Sequence, residues 1–160
     1  MAKPVKTNAM RILDRLKIKY TPNFYDCDEF IDAVKIADKL GQSYENSFKT
    51  LVTEGKSKAY YVFVIPIAEE LDLKKAARSV GEKSVEMIHV KDIKDITGYI
   101  RGGCTPIGMK KKYKTVIHTS VNGFEEVIVS GGMIGAQLIL SPADLKSLLL
   151  IHDHLTMPPE

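Results

Sequence analysis

Lys49 sits in Ser47-Phe48-Lys49-Thr50-Leu51-Val52, a β-prone stretch with one charge among apolar and β-branched neighbours. Strand alternation puts Phe48, Thr50 and Val52 on one face and Lys49, Leu51 and Thr53 on the other. Two chemistries fit such a lysine. It can guard a sheet edge against aggregation. It can also be a compact cation aimed into a pocket at an anionic or carbonyl oxygen. Two later segments could complete a site with it. Gly102-Gly103-Cys104-Thr105-Pro106-Ile107-Gly108 packs three glycines and a proline into seven residues. That composition fixes an unusual backbone path and lets main-chain groups approach a ligand closely. Ser130-Gly131-Gly132 ends an apolar run, and Ser130 can bond a ligand or satisfy a turn amide. No Gly-Lys-Ser/Thr ending marks a phosphate loop, and no G-x-S-x-G elbow marks a serine hydrolase.

Other reactive groups have competing readings. Cys104 is a rival nucleophile if the nearby lysines lower its pKa, and otherwise a small residue in a tight loop. His152-Asp153-His154 lacks an evident third metal ligand and lies against a Pro-rich tail, so no metal site is expected. His89 and His118 sit in apolar strand context. Lys110-Lys111-Lys112-Tyr113-Lys114 is the densest basic run. It is either a solvated face or a contact for phosphate backbone.

The elements that must position these groups follow from periodicity and caps. Thr7 caps a helix to about Leu16, with Ala9, Ile12, Leu13 and Leu16 in phase. Lys19 to Tyr25 reads as a strand, placed at an edge by Pro22. Asp32 to Leu40 is a second amphipathic helix stopped by Gly41. Phe48–Val52 and Tyr60–Ile65 flank a polar turn and read as a hairpin, the second strand buried on both faces. Asp72 to Arg78 is helical and ends near Gly81. Val85 to His89 reads as strand, and Lys91 to Thr97 as one or two helical turns. Residues 98 to 112 are loop. Tyr113–Thr119 and Glu126–Val129 flank an Asn122-Gly123 hairpin signal. Ala136–Leu140 is a strand. Ser141-Pro142-Ala143-Asp144 starts a helix running to about Leu150, and the tail from about 152 frays.

The chain is 160 residues long, 44% apolar and 27% charged, with a net charge of +3. These values suit one ordinary globular domain with a real core, and permit nucleic acid as a partner without requiring it. No apolar run reaches the roughly 20 residues needed to span a bilayer, so no membrane role is expected. Two distant cysteines give no disulfide pattern and fit a reducing, cytoplasmic setting. Helices interspersed with hairpins predict an α+β fold, a mixed, curled sheet with helices packed outside.

Thr7-Asn8-Ala9, Tyr20, Phe48-Lys49-Thr50-Leu51, the Gly98-to-Gly108 run and Ser130-Gly131-Gly132 ahead of Ala143-Asp144-Leu145 occur in order. This set resembles the YbaK-type cysteinyl-tRNA deacylases, in the superfamily of editing domains related to the insertion domain of bacterial prolyl-tRNA synthetase. It spans roughly residues 5 to 151. The resemblance implies a mixed pseudobarrel flanked by helices, one editing domain over residues 1–160, no cofactor, and hydrolysis of cysteine mischarged onto proline tRNA, with Cys-tRNA(Cys) as a further substrate. It implies Lys49 as the essential pocket lysine, and Tyr20, Phe30 and Thr50 as pocket residues. Gly102, Gly103 and Pro106 belong to the pocket-shaping loop, and Ser130 and Gly131 to the opposite wall. With a tRNA substrate implied, the basic run makes Lys110, Lys111 and Lys112 the expected tRNA contacts, and prolyl-tRNA synthetase is a candidate partner. In the mechanism proposed for the family, the substrate's thiol attacks its own ester carbonyl and leaves as a thiolactone. One feature departs from the family. Met133-Ile134 follow Ser-Gly-Gly where a basic residue is usual. The competing readings are a deacylase for another amino acid such as alanine, a hydrolase using Cys104, and a non-catalytic tRNA- or synthetase-binding module.

Overall fold

The computed structural model describes residues 6–27, 29 and 31–151. Helix α1 (Asn8–Arg15) is capped by Thr7, whose Oγ1 accepts from the Met10 N–H at 3.2 Å. Its Ala9, Met10 and Leu13 are buried. Strand β1 (Thr21–Phe24) pairs on one side only, as Pro22 requires. Helix α2 (Ala33–Leu40) starts at Asp32, which accepts from the Lys35 N–H at 3.0 Å, and ends on left-handed Gly41. Strands β2 (Phe48–Gly55) and β3 (Tyr60–Pro66) form the expected antiparallel hairpin. Helix α3 (Leu73–Val80) is capped by Asp72 and stopped by Gly81. Strand β4 (Val85–Met87) leads through a 3-10 turn into α4 (Ile93–Thr97), closed by Gly98. Then come β5 (Lys114–Ile117), β6 (Val127–Ser130), β7 (Ala136–Leu140), α5 (Pro142–Ser147) and β8 (Leu150–Ile151).

The strands form two sheets. One has the order β4-β2-β3-β5-β8, antiparallel around β2 and parallel from β3 through β5 to β8. The other is antiparallel, in the order β1-β7-β6. Among the described residues they meet at a single bridge, Ser47 to Ile128, and do not close into a barrel. The fold is α+β with a mixed sheet, as the element pattern predicted.

The main core lies between the sheets. Phe48, Val52, Val62 and Val64 pack with Val127, Val129, Leu138 and Leu140, and α1 covers them with Met10 and Leu13. The other face of β3 carries Tyr61 and Phe63, which pack under Ala76, Ala77 and Val80 of α3. Hence β3 is apolar without alternation. Each fully buried side chain of this size is worth roughly 1.5–3 kcal/mol relative to exposure.

Two expectations are corrected. Asn122-Gly123 is not a hairpin turn. Neither residue has positive φ, which the two-residue hairpin turns demand at the first central position or at both. Thr119–Gly123 is a 3-10 turn started by His118, whose Nδ1 accepts from the Ser120 N–H at 3.1 Å. It carries the chain from β5 in one sheet to β6 in the other. The hairpin of this half is β6–β7. The last helix stops at Ser147 rather than near Leu150, because Leu150–Ile151 pair with β5 as a parallel strand. The His152-Asp153-His154 cluster and the tail fall outside the described residues. Among the described residues no helix is long and apolar enough to cross a membrane.

Candidate active site

The glycine segments meet backbone to backbone. A Cβ built on Gly103 would lie 2.8 Å from Met133 Cα and 3.0 Å from its N, so no other residue permits this approach unchanged. The start of α1 ties the assembly together. Thr7 Oγ1 donates to the Gly131 carbonyl at 2.6 Å, and Asn8 Nδ2 donates to the Gly108 carbonyl at 3.0 Å. Tyr99 Oη donates to the Ile107 carbonyl at 2.6 Å from inside the loop. The loops are therefore fixed by main-chain packing, two long-range hydrogen bonds and one within the loop.

Between them, β2 and α2 opens a cavity of about 660 Å³. Lys49, Thr50, Gly102, Cys104 and Ser130 all line it. Lys49 is partly buried. Burial pushes its ammonium down from the ordinary 10.5, while the carboxylates of Glu70, Asp32 and Glu69 push it back up. Among the described residues Lys49 makes no ion pair within 4.0 Å. It is thus a cation near carboxylates but not locked to one. Thr50 Oγ1 is buried without a hydrogen-bond partner.

Several expected residues lie elsewhere. Tyr20 is not at the cavity. Its hydroxyl donates to Asp14 Oδ1 at 3.0 Å, and burial together with that bond pushes it up to about 12. The tyrosine lining the cavity is Tyr25, held by its N–H to the Gly135 carbonyl at 2.9 Å. Phe30 falls outside the described residues, though its neighbours Ile31 and Asp32 line the cavity. Gly103 and Gly131 stand behind the wall; Gly131 donates to the Ala136 carbonyl at 2.8 Å. Pro106 faces a smaller cavity against α1, together with Lys111 and Lys112. Lys110 runs its side chain past Gly98. The three lysines are exposed and do not line the Lys49 cavity.

Two features escaped the sequence. Gln42 and Gln137 exchange side-chain hydrogen bonds at 2.8 and 3.0 Å across the cavity floor, and Asn23 donates to the same Gln137 oxygen at 2.9 Å. Glu69 and Glu70, just after β3, bring negative charge to Lys49. No motif marks either, since the partners are joined only by the fold.

The chain matches a known family over most of its length. The aminoacyl-tRNA editing domain model matches residues 29–148. The chain belongs to that family. A protein of Enterococcus faecalis (strain ATCC 700802 / V583), provisionally named Cys-tRNA(Pro)/Cys-tRNA(Cys) deacylase EbsC, is 44% identical over 144 residues, covering 89% of this chain and 88% of its own. Among solved structures, the hypothetical protein APE2540 superposes with a TM-score of 0.81 at 20% identity, covering 90% of this chain and 96% of its own. A provisionally assigned trans-editing enzyme for prolyl-tRNA synthetase superposes at 0.74 and 23%, covering 94% and 98%. These two share the fold.

Among the described residues, the editing domain's cavity offers no activated nucleophile of its own. Burial pushes the Cys104 thiol up from 9.0 to about 11, which leaves it protonated at neutral pH despite the lysines that follow. Ser130 Oγ accepts from the Gly132 N–H at 3.5 Å, and among the described residues no histidine lines the cavity with it. Among the described residues no group of three His, Cys, Asp or Glu is placed to hold a metal. The editing domain instead supplies a lysine cation, rigid main-chain walls and an apolar interior.

Proposed function

We propose that this chain is an aminoacyl-tRNA deacylase that removes cysteine from tRNA(Pro) and from tRNA(Cys). One observation carries the reading. The cavity of this family member presents Lys49 as a partly buried cation and lacks an activated enzyme nucleophile. A substrate that brings its own nucleophile suits such a cavity. The cysteinyl thiol adds to its ester carbonyl, the bond to the ribose oxygen breaks, and a thiolactone forms. The thiol proton ends on the ribose hydroxyl. Holding thiol and carbonyl in near-attack geometry is worth up to about 7–11 kcal/mol. Lys49 stabilises the charge that develops on oxygen. Thr50, Gly102 and Ser130 shape the pocket, and Gly103 and Gly131 hold its walls together.

The remaining roles are those of a cytoplasmic editing factor. Lys110, Lys111 and Lys112 lie outside the cavity, where they suit phosphate contacts along the tRNA. A stretch from residue 87 to 114 holds seven Lys or Arg against two Asp, a net of +5 in a chain of +3 overall. The positive charge is therefore concentrated on the segment that includes the loop. Prolyl-tRNA synthetase is the proposed docking partner.

The decisive measurement is single-turnover deacylation of Cys-tRNA(Pro), Cys-tRNA(Cys), Ala-tRNA(Pro) and a seryl ester. Cysteinyl esters are expected to be cleaved, and the seryl ester, which lacks the thiol, to survive. Lys49→Ala is expected to lower the rate by about 10²–10³-fold. Full activity in that variant, or efficient cleavage of the seryl ester, refutes the mechanism.

A further inference from the structure

Strand β2 turns a bare stretch of its outer edge toward the cavity. In a strand the N–H and C=O of one residue point to the same side, and the side alternates. The Asn46 carbonyl accepts from the Ile128 N–H at 2.9 Å, and the Val52 carbonyl accepts from the Ile88 N–H at 3.2 Å. The Ser47 carbonyl instead accepts from the Ile67 N–H, just past β3, at 3.0 Å. Even-numbered residues therefore point their main-chain groups away from β3. Strand β4 pairs with β2 only across Thr53, Glu54 and Gly55, and β6 bridges to it only at Ser47. Thr50 lies between these contacts. By this alternation its N–H and C=O point to the outer side of β2, no strand of the described residues stands opposite, and Thr50 lines the cavity.

We infer that Thr50 binds the aminoacyl group through its main chain, as a one-residue antiparallel strand. In a hydrogen-bonded antiparallel pair, facing residues exchange both bonds, each through its own N–H and its own C=O. An aminoacyl ester carries that same pair of groups. Its α-ammonium donates to the Thr50 C=O, and its ester carbonyl oxygen accepts from the Thr50 N–H. The second bond strengthens as that oxygen gains negative charge, so it also stabilises the transition state. The bare edge is closed at one end by Ile128 and at the other by Ile88. Phe48 to Val52 covers about 13 Å at the usual rise of ~3.3 Å per residue. Thr50 is the one position of that span whose outward groups have no strand partner among the described residues, so it pairs with a single amino acid. The site thus selects esters that carry an N–H donor on the α-carbon. This inference rests on the deacylase reading.

Asp32, Glu69 and Glu70 line the same cavity and are the rival readers of the ammonium. The test compares Cys-tRNA(Pro) with 3-mercaptopropionyl-tRNA(Pro), which keeps the thiol and lacks the amine. Each rate is divided by the uncatalysed hydrolysis of the same ester at the same pH, because the ammonium itself activates an ester. Loss of the amine is expected to cost about 10–100-fold in normalised kcat/KM. The same loss is expected in Asp32→Asn, Glu69→Gln and Glu70→Gln. Thr50→Val keeps both main-chain groups and retains the discrimination. Thr50→Pro removes the cavity-side N–H, spares the ladder to β3, and lowers kcat. Equal normalised rates on the two esters overturn the inference and leave the deacylase reading standing. So does discrimination that vanishes in one of the carboxylate variants. Turnover of neither ester overturns the deacylase reading, and the inference with it.

Discussion

Gly103→Ala tests whether the cavity depends on the two glycine loops touching. Gly103 has no positive φ, so an alanine there meets no backbone strain of its own. The conflict is steric. The new Cβ would sit 2.8 Å from Met133 Cα, 3.0 Å from its N and 3.1 Å from its C. Carbon atoms rest comfortably at about 3.5–4.0 Å. The loops must therefore separate by roughly 0.7 Å or more, and all three contacts are main chain, so no rotamer change relieves them. Overpacking of this kind costs about 1–3 kcal/mol, or roughly 2–12 °C in Tm for a chain of this size. Gly102 and Ser130, next to the contact on facing walls, move with it. A displacement near 1 Å at a positioned substrate costs about 10²-fold in rate. Calorimetry and single-turnover deacylation together read both effects. Gly123→Ala is the control. Nothing lies within 4 Å of its built Cβ and its φ is not positive, so it should be neutral or stabilise by about 0.4–1 kcal/mol. A Gly103→Ala protein with wild-type Tm and wild-type kcat/KM refutes the apposition. A lowered Tm with unchanged kcat/KM shows that the contact holds the fold but does not set the site.

Burial lowers the Lys49 pKa on folding, so the unfolded chain binds that proton more tightly and Lys49 subtracts stability below its folded pKa. Lys49→Met is expected to lower the deacylation rate by about 10²–10³-fold and to raise Tm at neutral pH, with the gain shrinking as pH rises through the window up to 10.5; calorimetry across that range checks it. Cys104→Ala should leave turnover near wild type, and alkylation of Cys104 should speed up only as pH nears 11; a large rate loss revives the thiol nucleophile. Thr50→Val removes a buried hydroxyl that has no partner, and should stabilise the fold by about 1–3 kcal/mol in chemical denaturation. Glu82 is held below its ordinary 4.5 by hydrogen bonds from Ser57 and Tyr61. Its contribution is present above pH 4.5 and lost as pH falls through the lower folded pKa, so wild type should lose Tm in acid more steeply than Glu82→Gln.

What could be read in advance was local. Thr7, Asp32, Asp72 and Ser141 each start a helix by accepting from an N–H two or three residues on, within one turn of sequence. Gly41 and Gly81 stop helices for an equally local reason. The misreadings needed information from elsewhere in the chain. Asn122-Gly123 has hairpin composition, but β5 is claimed by parallel pairing with β3 and β8, which no local signal announces. Tyr20 and Tyr25 bracket the same edge strand, and sequence cannot say which end opens on the cavity. Register with β7 decides it, bringing Tyr25 to Gly135 and leaving Tyr20 to Asp14. Gln42 and Gln137, 95 residues apart, pair only because α2 ends beside β7. Lys49 was legible as an anomaly, a charge in an apolar strand. Its setting was not, since Glu69, Glu70 and Asp32 come from two other connections.

This division bears on how such a cavity works. Its reactive inventory is small, one lysine and some main chain, so little of the function can reside in side-chain chemistry. The precision resides in the supports. Thr7 and Asn8 reach from one helix start to both glycine loops, and Gly103 locks those loops to each other. None of these residues lines the cavity. A site that works by positioning should therefore be more sensitive at Thr7, Asn8 and Gly103 than at wall residues such as Cys104. A site that worked through an enzyme nucleophile would show the reverse ranking. The same logic fits a substrate that carries its own thiol. If the substrate supplies the attacking atom, what the protein must conserve in space is the distance between its walls, and glycines and long-range hydrogen bonds are the means by which this chain sets that distance.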